Sequence, residues 1–188
     1  MDDAPTLGAP QPRSSRAPRV TLPLEPSVEE LARDWTLSAA DLKEVRRCRG
    51  DDNRRRFAVQ LCTLRRYGRF LTSYVHVPLT ILTHLNRQLA LAPVLFLTDS
   101  ECEATESEQQ DRLRQYLGYQ AFDERRHQQL VRWLEGRVLD SVLPRALLQQ
   151  AEEQLRMWRV VLPAISTLER LVASVTAQAQ HDVFVRIA

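Results

Sequence analysis

The sequence predicts an all-α fold, a multi-helix globular domain with a helix-turn-helix-like hairpin, preceded by a disordered arm containing proline and arginine. Three observations carry that expectation. Apolar residues recur at spacings of three and four along most of the chain, the signature of one face of a helix with about 3.6 residues per turn. Helix-start signals repeat, because Ser27 with Glu30 and Ser38 with Asp41 have capping-box spacing. Strand-type alternation is absent from the pattern. With 188 residues, 44% apolar and 27% charged, the chain has the composition of a globular protein with one core or two small lobes.

The arm comes first. Pro5, Pro10, Pro12, Pro18, Pro23 and Pro26 fall within residues 1–26 beside Arg13, Arg16 and Arg19, with no helical period. Two readings remain open for it: a plain linker, or a basic arm laid along a DNA groove. Residues 27–188 form the helical region, in one body or in two lobes, 27–98 and 105–188.

A short helix is expected from Ser38 to about Arg47, then a turn containing Gly50. A longer helix follows from about Asn53 to Tyr67, ending at Gly68 as a left-handed cap. Two helices joined by a glycine-containing turn have the topology of a helix-turn-helix unit, and equally that of an ordinary helical hairpin. Pro78 stands where a first helical turn accepts proline. Later stripes are Leu79, Leu82, Leu85 and Leu89; Leu113, Tyr116 and Leu117; Leu130, Trp133, Leu134 and Val138; Leu148, Ala151, Leu155 and Trp158; and Ile165, Leu168, Val172, Val175 and Ala179. All are expected to face the core. Between Thr98 and Asp111 lie six acids and no basic residue, an exposed connector and a solvated helix start near Thr105, where acids suit the positive end of the helix dipole.

Charge is distributed unevenly. Arg47 to Phe70 carries eight arginines and two acids, a local +6 on a chain of net +2, so the remainder is −4. Clustered guanidinium groups suit a polyanion, since each can neutralise a phosphate and release condensed counterions. On a helical wheel Phe57, Leu61 and Leu64 form the core stripe with Ala58 at its edge. The opposite arc holds Arg55, Arg56, Gln60, Thr63, Arg66 and Tyr67. Arginine can pair with guanine, glutamine with adenine, and threonine can touch a thymine methyl. The alternative is a solvated helix face, although such faces usually mix both charge signs. Val59 points towards the same arc, against another helix or a thymine methyl. Arg46, Arg47, Arg49, Arg54 and Arg69 are expected to hold phosphates or to serve as structural neighbours.

Other chemistry finds no support in the pattern. Cys48, Cys62 and Cys102 are odd in number and widely spaced, which argues against a disulfide framework and a zinc site and for a reducing compartment. His76, His84, His127 and His181 are scattered, and no phosphate-binding glycine loop or nucleophile elbow occurs. No metal, no cofactor and no catalytic residue is expected. The chain opens on Asp2 and Asp3 with no secretory pattern and no membrane-length apolar run, so the expected location is cytoplasmic.

The residues also resemble a family. CRG at Cys48 to Gly50, NR at Asn53 and Arg54, FAVQLC at Phe57 to Cys62 and GRF at Gly68 to Phe70 are similar to the amino-terminal region of transposases of the Tn-three family of replicative transposons. VP at Val77, RQL at Arg87, YLGY at Tyr116, WL at Trp133 and LERLV at Leu168 extend the similarity from about Leu31 onwards. In the positions where such transposases often carry leucine and glycine after Asn-Arg, this chain has Arg55 and Arg56. The resemblance implies a helical region that binds the terminal inverted repeats as duplex DNA. It also implies a magnesium-binding carboxylate triad on an RNase-H-like core much farther along a far longer chain, beyond Ala188 here. The chain is therefore expected to be the non-catalytic DNA-recognising part of a transposase and not an enzyme by itself. Its expected partners are terminal-repeat DNA, together with the rest of the transposase or another copy. The competing expectation is a helical protein-interaction module that binds an acidic partner or the missing catalytic part.

Overall fold

A computed structural model of the chain describes residues 20, 22–100, 102–138 and 143–187, with side chains described through 181. Eight helices account for most of the described residues: α1 (Val28–Asp34), α2 (Ala39–Arg46), α3 (Asp51–Tyr67), α4 (Leu79–Leu89), α5 (Glu103–Leu117), α6 (Glu124–Val138), α7 (Pro144–Met157) and α8 (Ile165–Ile187). The fold is all-α. Among the described residues the only β-type pairing is a parallel bridge between Gln120 and Val160.

Local signals explain the helix ends. Both capping boxes form: the Glu30 N–H donates to Ser27 Oγ at 3.1 Å and the Ser27 N–H to Glu30 Oε2 at 2.9 Å, with the same exchange between Ser38 and Asp41. Gly68 ends α3 in the left-handed region at φ 68°, and its N–H donates to Leu64 O at 2.9 Å. Pro78 immediately precedes α4, where its missing N–H is no loss.

Two cores organise the helices. The first contains Trp35, Val45, Phe57, Leu61, Leu64, Tyr74, Ile81, Leu82, Leu85, Leu97 and Leu113. Its axis is α3, which touches α1, α2, α4 and α5. The second contains Leu130, Leu134, Leu147, Ala151, Leu155, Leu168 and Val172, where α6, α7 and α8 pack against one another pairwise.

Three expectations need revision. Leu113 of α5 is buried in the first core, with Tyr116 and Leu117 against it, so the division between cores falls after α5 and not between 98 and 105. Residues 1–19 and 21 of the expected arm lie outside the described residues, but Leu22 and Pro26 are buried and Leu22 belongs to the first core. The arm therefore does not run unattached to 26. Leu79, expected inside, is 49% exposed, because α4 buries Ile81, Leu82, Leu85 and Asn86 instead.

Candidate nucleic-acid interface

The sequence predicts that α3 turns one face to solvent, and the structure closes the middle of that face while Arg66 near its end stays exposed. Arg55, Phe57, Ala58, Val59, Gln60, Leu61, Cys62, Thr63 and Leu64 are all buried. A groove-reading helix needs an open side, and the middle of α3 has none. Arg55, Gln60 and Thr63 are accordingly corrected from DNA-facing to internal residues, and Val59 is a core residue.

Each of the three has an internal partner. Arg55, 5% exposed, donates from Nε to Asn86 Oδ1 at 2.9 Å, from Nη1 to Asp52 Oδ1 at 2.9 Å and from Nη2 to Ala92 O at 2.7 Å. Its fork is consumed in tying α3 to α4 and to the segment after it. Gln60 clasps the segment that follows α3: its Nε2 donates to Leu71 O at 2.9 Å and its Oε1 accepts from the Leu71 N–H at 2.8 Å. Thr63 Oγ1 donates to Val59 O at 2.8 Å, the usual way a buried threonine satisfies its hydroxyl within a helix.

The remaining arginines divide into engaged and open. Arg56, half-buried, donates from Nε to Thr98 O at 2.9 Å and from Nη1 to Asn53 Oδ1 at 3.0 Å. Arg54 donates from Nε to Cys48 O and pairs with Asp51 Oδ1, both at 3.2 Å. Arg66 pairs with Asp34 at 3.3 Å. Arg69 pairs with Glu152 and donates to Pro163 O, which makes it a clasp between the two cores. Arg47 pairs with Glu44 at 3.0 Å but stays exposed. Arg46 and Arg49 are exposed, and no carboxylate of the described residues pairs with either.

What survives as an open basic surface is the corner between α2 and α3. Lys43, Arg46, Arg47 and Arg49 stand exposed there, with Glu44 as the single acid of the stretch from Lys43 to Gly50. The arginine run of the sequence begins after Lys43 and does not point to it, yet this lysine lies three residues before Arg46 on the same helix face. The corner is held from below by Asp41, 1% exposed, whose carboxylate accepts from Arg65 Nη2 at 2.7 Å and Tyr116 OH at 2.8 Å. Burial pushes the Asp41 carboxyl up, but hydrogen bonds from Arg65, the Ser38 backbone and Tyr116 outweigh it and leave the group below its ordinary value. Cys48, under the same corner, is buried with its thiol pushed up by desolvation, and burial pushes Cys62 up to about 12. Both are therefore neutral thiols. Among the described residues no group of His, Cys, Asp and Glu side chains is placed to hold a metal ion, and no helix is long and apolar enough to cross a membrane.

An all-helical unit with a basic corner and two cores is the class that fold and surface define. The chain belongs to the family described as a domain of unknown function, DUF4158, whose profile matches residues 14–175. It is similar to the transposase for transposon Tn501 of Pseudomonas aeruginosa, 33% identical over 163 residues, covering 87% of this chain and 16% of that protein. The transposase for transposon Tn1546 of Enterococcus faecium is 28% identical over 150 residues, 80% of this chain and 15% of that one. The transposase for transposon gamma-delta of Escherichia coli (strain K12) is 29% identical over 167 residues, 87% and 17% of the two chains. The resemblance to transposases of the Tn-three family is thus borne out, and the chain spans about one sixth of the length of these relatives.

Proposed function

We propose that this chain is a non-catalytic, DNA-engaging region of a replicative transposase and binds the terminal inverted repeats of a transposon as duplex DNA. The observation that carries the reading is the similarity to transposases over 87% of the chain. The physical support is the α2–α3 corner, whose exposed Lys43, Arg46, Arg47 and Arg49 can each neutralise a phosphate. Among the residues expected from the sequence, Arg46, Arg47 and Arg49 remain the phosphate-binding groups of this proposal. Arg66 stays exposed beside its ion pair with Asp34, whereas Arg56 is half-buried and would reach a duplex at the cost of its bonds to Thr98 and Asn53.

Selection of duplexes from a random-sequence pool tests the reading. The expected outcome is a consensus that matches the ends of a transposon. Replacing Arg46 or Arg49 with alanine is expected to weaken all duplexes alike and to lower the log–log salt slope by about one for each phosphate left without its guanidinium. Binding with an unchanged salt slope in both variants removes the corner from the interface.

A second reading rests on a different observation. Leu95 and Phe96, side by side between α4 and α5, are 80% and 65% exposed, and adjacent large apolar residues in solvent suit a protein partner. On that reading the chain docks on an acidic protein or on the catalytic part of a transposase, and the selection returns no consensus.

A further inference from the structure

α6 shows the open face that α3 lacks. It sinks Leu130 and Leu134 into the second core, with Val131, Trp133 and Val138 half-buried beside them. On a helix advancing about 100° per residue, the side opposite that apolar face carries Arg125, Gln129, Arg132 and Gly136, separated by four, three and four positions. Arg125, Arg132 and Gly136 are exposed and Gln129 is half-buried. Arg126 and Arg137 fall beyond the stripe on one side, on the arc between Trp133 and Leu130 at the border of the apolar face. The acids of α6, Glu124 and Glu135, lie on the other side with Gln128, whose Nε2 donates to Glu124 Oε1 at 2.9 Å.

The engagement of these arginines differs from that in α3. Among the described residues Arg132 Nε reaches only the Gln128 carbonyl of its own helix, at 3.4 Å. The Arg137 guanidinium lies 5.3 Å from the centre of the Trp133 ring. Among the described residues no ion pair engages Arg125, Arg132 or Arg137, whereas Arg54, Arg55, Arg65 and Arg66 of α3 each hold a carboxylate. Gln129 Oε1 accepts from Arg126 Nη1, which leaves the Gln129 amide nitrogen as a donor for a ligand. Gly136 adds an independent observation. Glycine inside a helix is destabilising relative to alanine, and a Cβ built there meets nothing within 4 Å. Packing among the described residues gives no reason for the glycine, while an outside surface approaching closely does.

We propose that the Arg125, Gln129, Arg132 and Gly136 stripe of α6 is the groove-reading face of this chain, in contact with base edges in the major groove of a duplex. The inference rests on the DNA-binding reading above and moves its sequence-reading element from α3 to α6. The two arginines supply planar forks that pair bidentately with guanine, and the Gln129 amide nitrogen supplies an N–H that a purine N7 accepts. Gly136 lets the helix axis come close to the groove wall. The α2–α3 corner then contributes phosphate binding without base preference.

The test is the same random-duplex selection with the full chain and with Arg125→Ala, Gln129→Ala and Arg132→Lys, each checked for helical content and melting temperature. The wild type is expected to return a consensus. Arg132→Lys, which keeps the charge and loses the fork, is expected to keep its salt slope while discrimination falls about 5- to 150-fold at one base pair. Arg125→Ala and Gln129→Ala are expected to relax neighbouring positions. A wild-type consensus that all three folded variants reproduce overturns the α6 assignment and leaves DNA binding standing. A wild type with no consensus overturns the DNA reading and this inference together. Tight binding of polyglutamate that Arg132→Lys weakens, with no duplex consensus, makes the stripe a protein-docking surface and likewise overturns the proposal.

Discussion

At the scale of single residues, the state of a charged side chain depends on what faces it. Asp41 is the clearest case, a buried carboxylate that joins α2 to Arg65 of α3 and Tyr116 of α5. Its folded pKa is the lower one, so as pH drops the unfolded chain takes up the proton first. The stabilisation is whole at neutral pH and is lost as pH falls below about 4, the ordinary carboxylate value, towards the depressed folded value. Asp41→Asn is expected to cost about 1–3 kcal/mol at pH 7. The gap between wild-type and variant denaturation curves should then narrow below pH about 4, and a gap of constant width down to pH about 2 would sink the account. Gln60 and Thr63 show the limit of reading residues from the chain alone. Their angular position on α3 is legible in the sequence, but burial is not: Gln60 is covered by Leu71 and Tyr74 from beyond the helix, and Thr63, bonded to the Val59 carbonyl of α3, is buried by what packs against α3.

At the scale of elements, local rules locate the helices well. The expected α3, Asn53 to Tyr67, differs from the observed Asp51–Tyr67 by two residues at one end, since a left-handed glycine cap and an apolar stripe are properties of neighbouring residues. Gly68 also has a second duty. A Cβ there would stand 3.3 Å from Leu162 Cδ1 at a φ that side chains disfavour. Gly68→Ala is therefore expected to destabilise the fold by about 1–2 kcal/mol, read as a lower denaturation midpoint with an unchanged slope. No loss of stability would show that the cap relaxes freely. α3 and α6 are both rich in arginine, and their difference lies in what surrounds them. α3 is enclosed by four helices, whereas α6 packs on α7 and α8 and keeps its far side open.

At the scale of the molecule, the two cores meet along a strap formed by residues 158–163. The Leu162 N–H donates to Gly68 O at 2.8 Å, the Val161 N–H to Gln120 O at 2.9 Å, and Arg159 Nη1 to Leu117 O at 2.7 Å. Arg69, expected on DNA, reinforces this seam through Glu152 and Pro163. Arg69→Ala is expected to raise hydrogen exchange at the Leu162 amide roughly tenfold, about 1.4 kcal/mol of local opening, with smaller changes inside either core. Unchanged protection there would remove Arg69 from the seam. From its sequence alone the chain was determined to be helical, with most helix positions, the caps at Ser27, Ser38 and Gly68, and its family resemblance, because these depend on residues close along the backbone. Tertiary structure alone decided which arginines remain open. Burial and ion pairing join distant segments, and the helical period that orders one face of α3 says nothing about what is packed against the other.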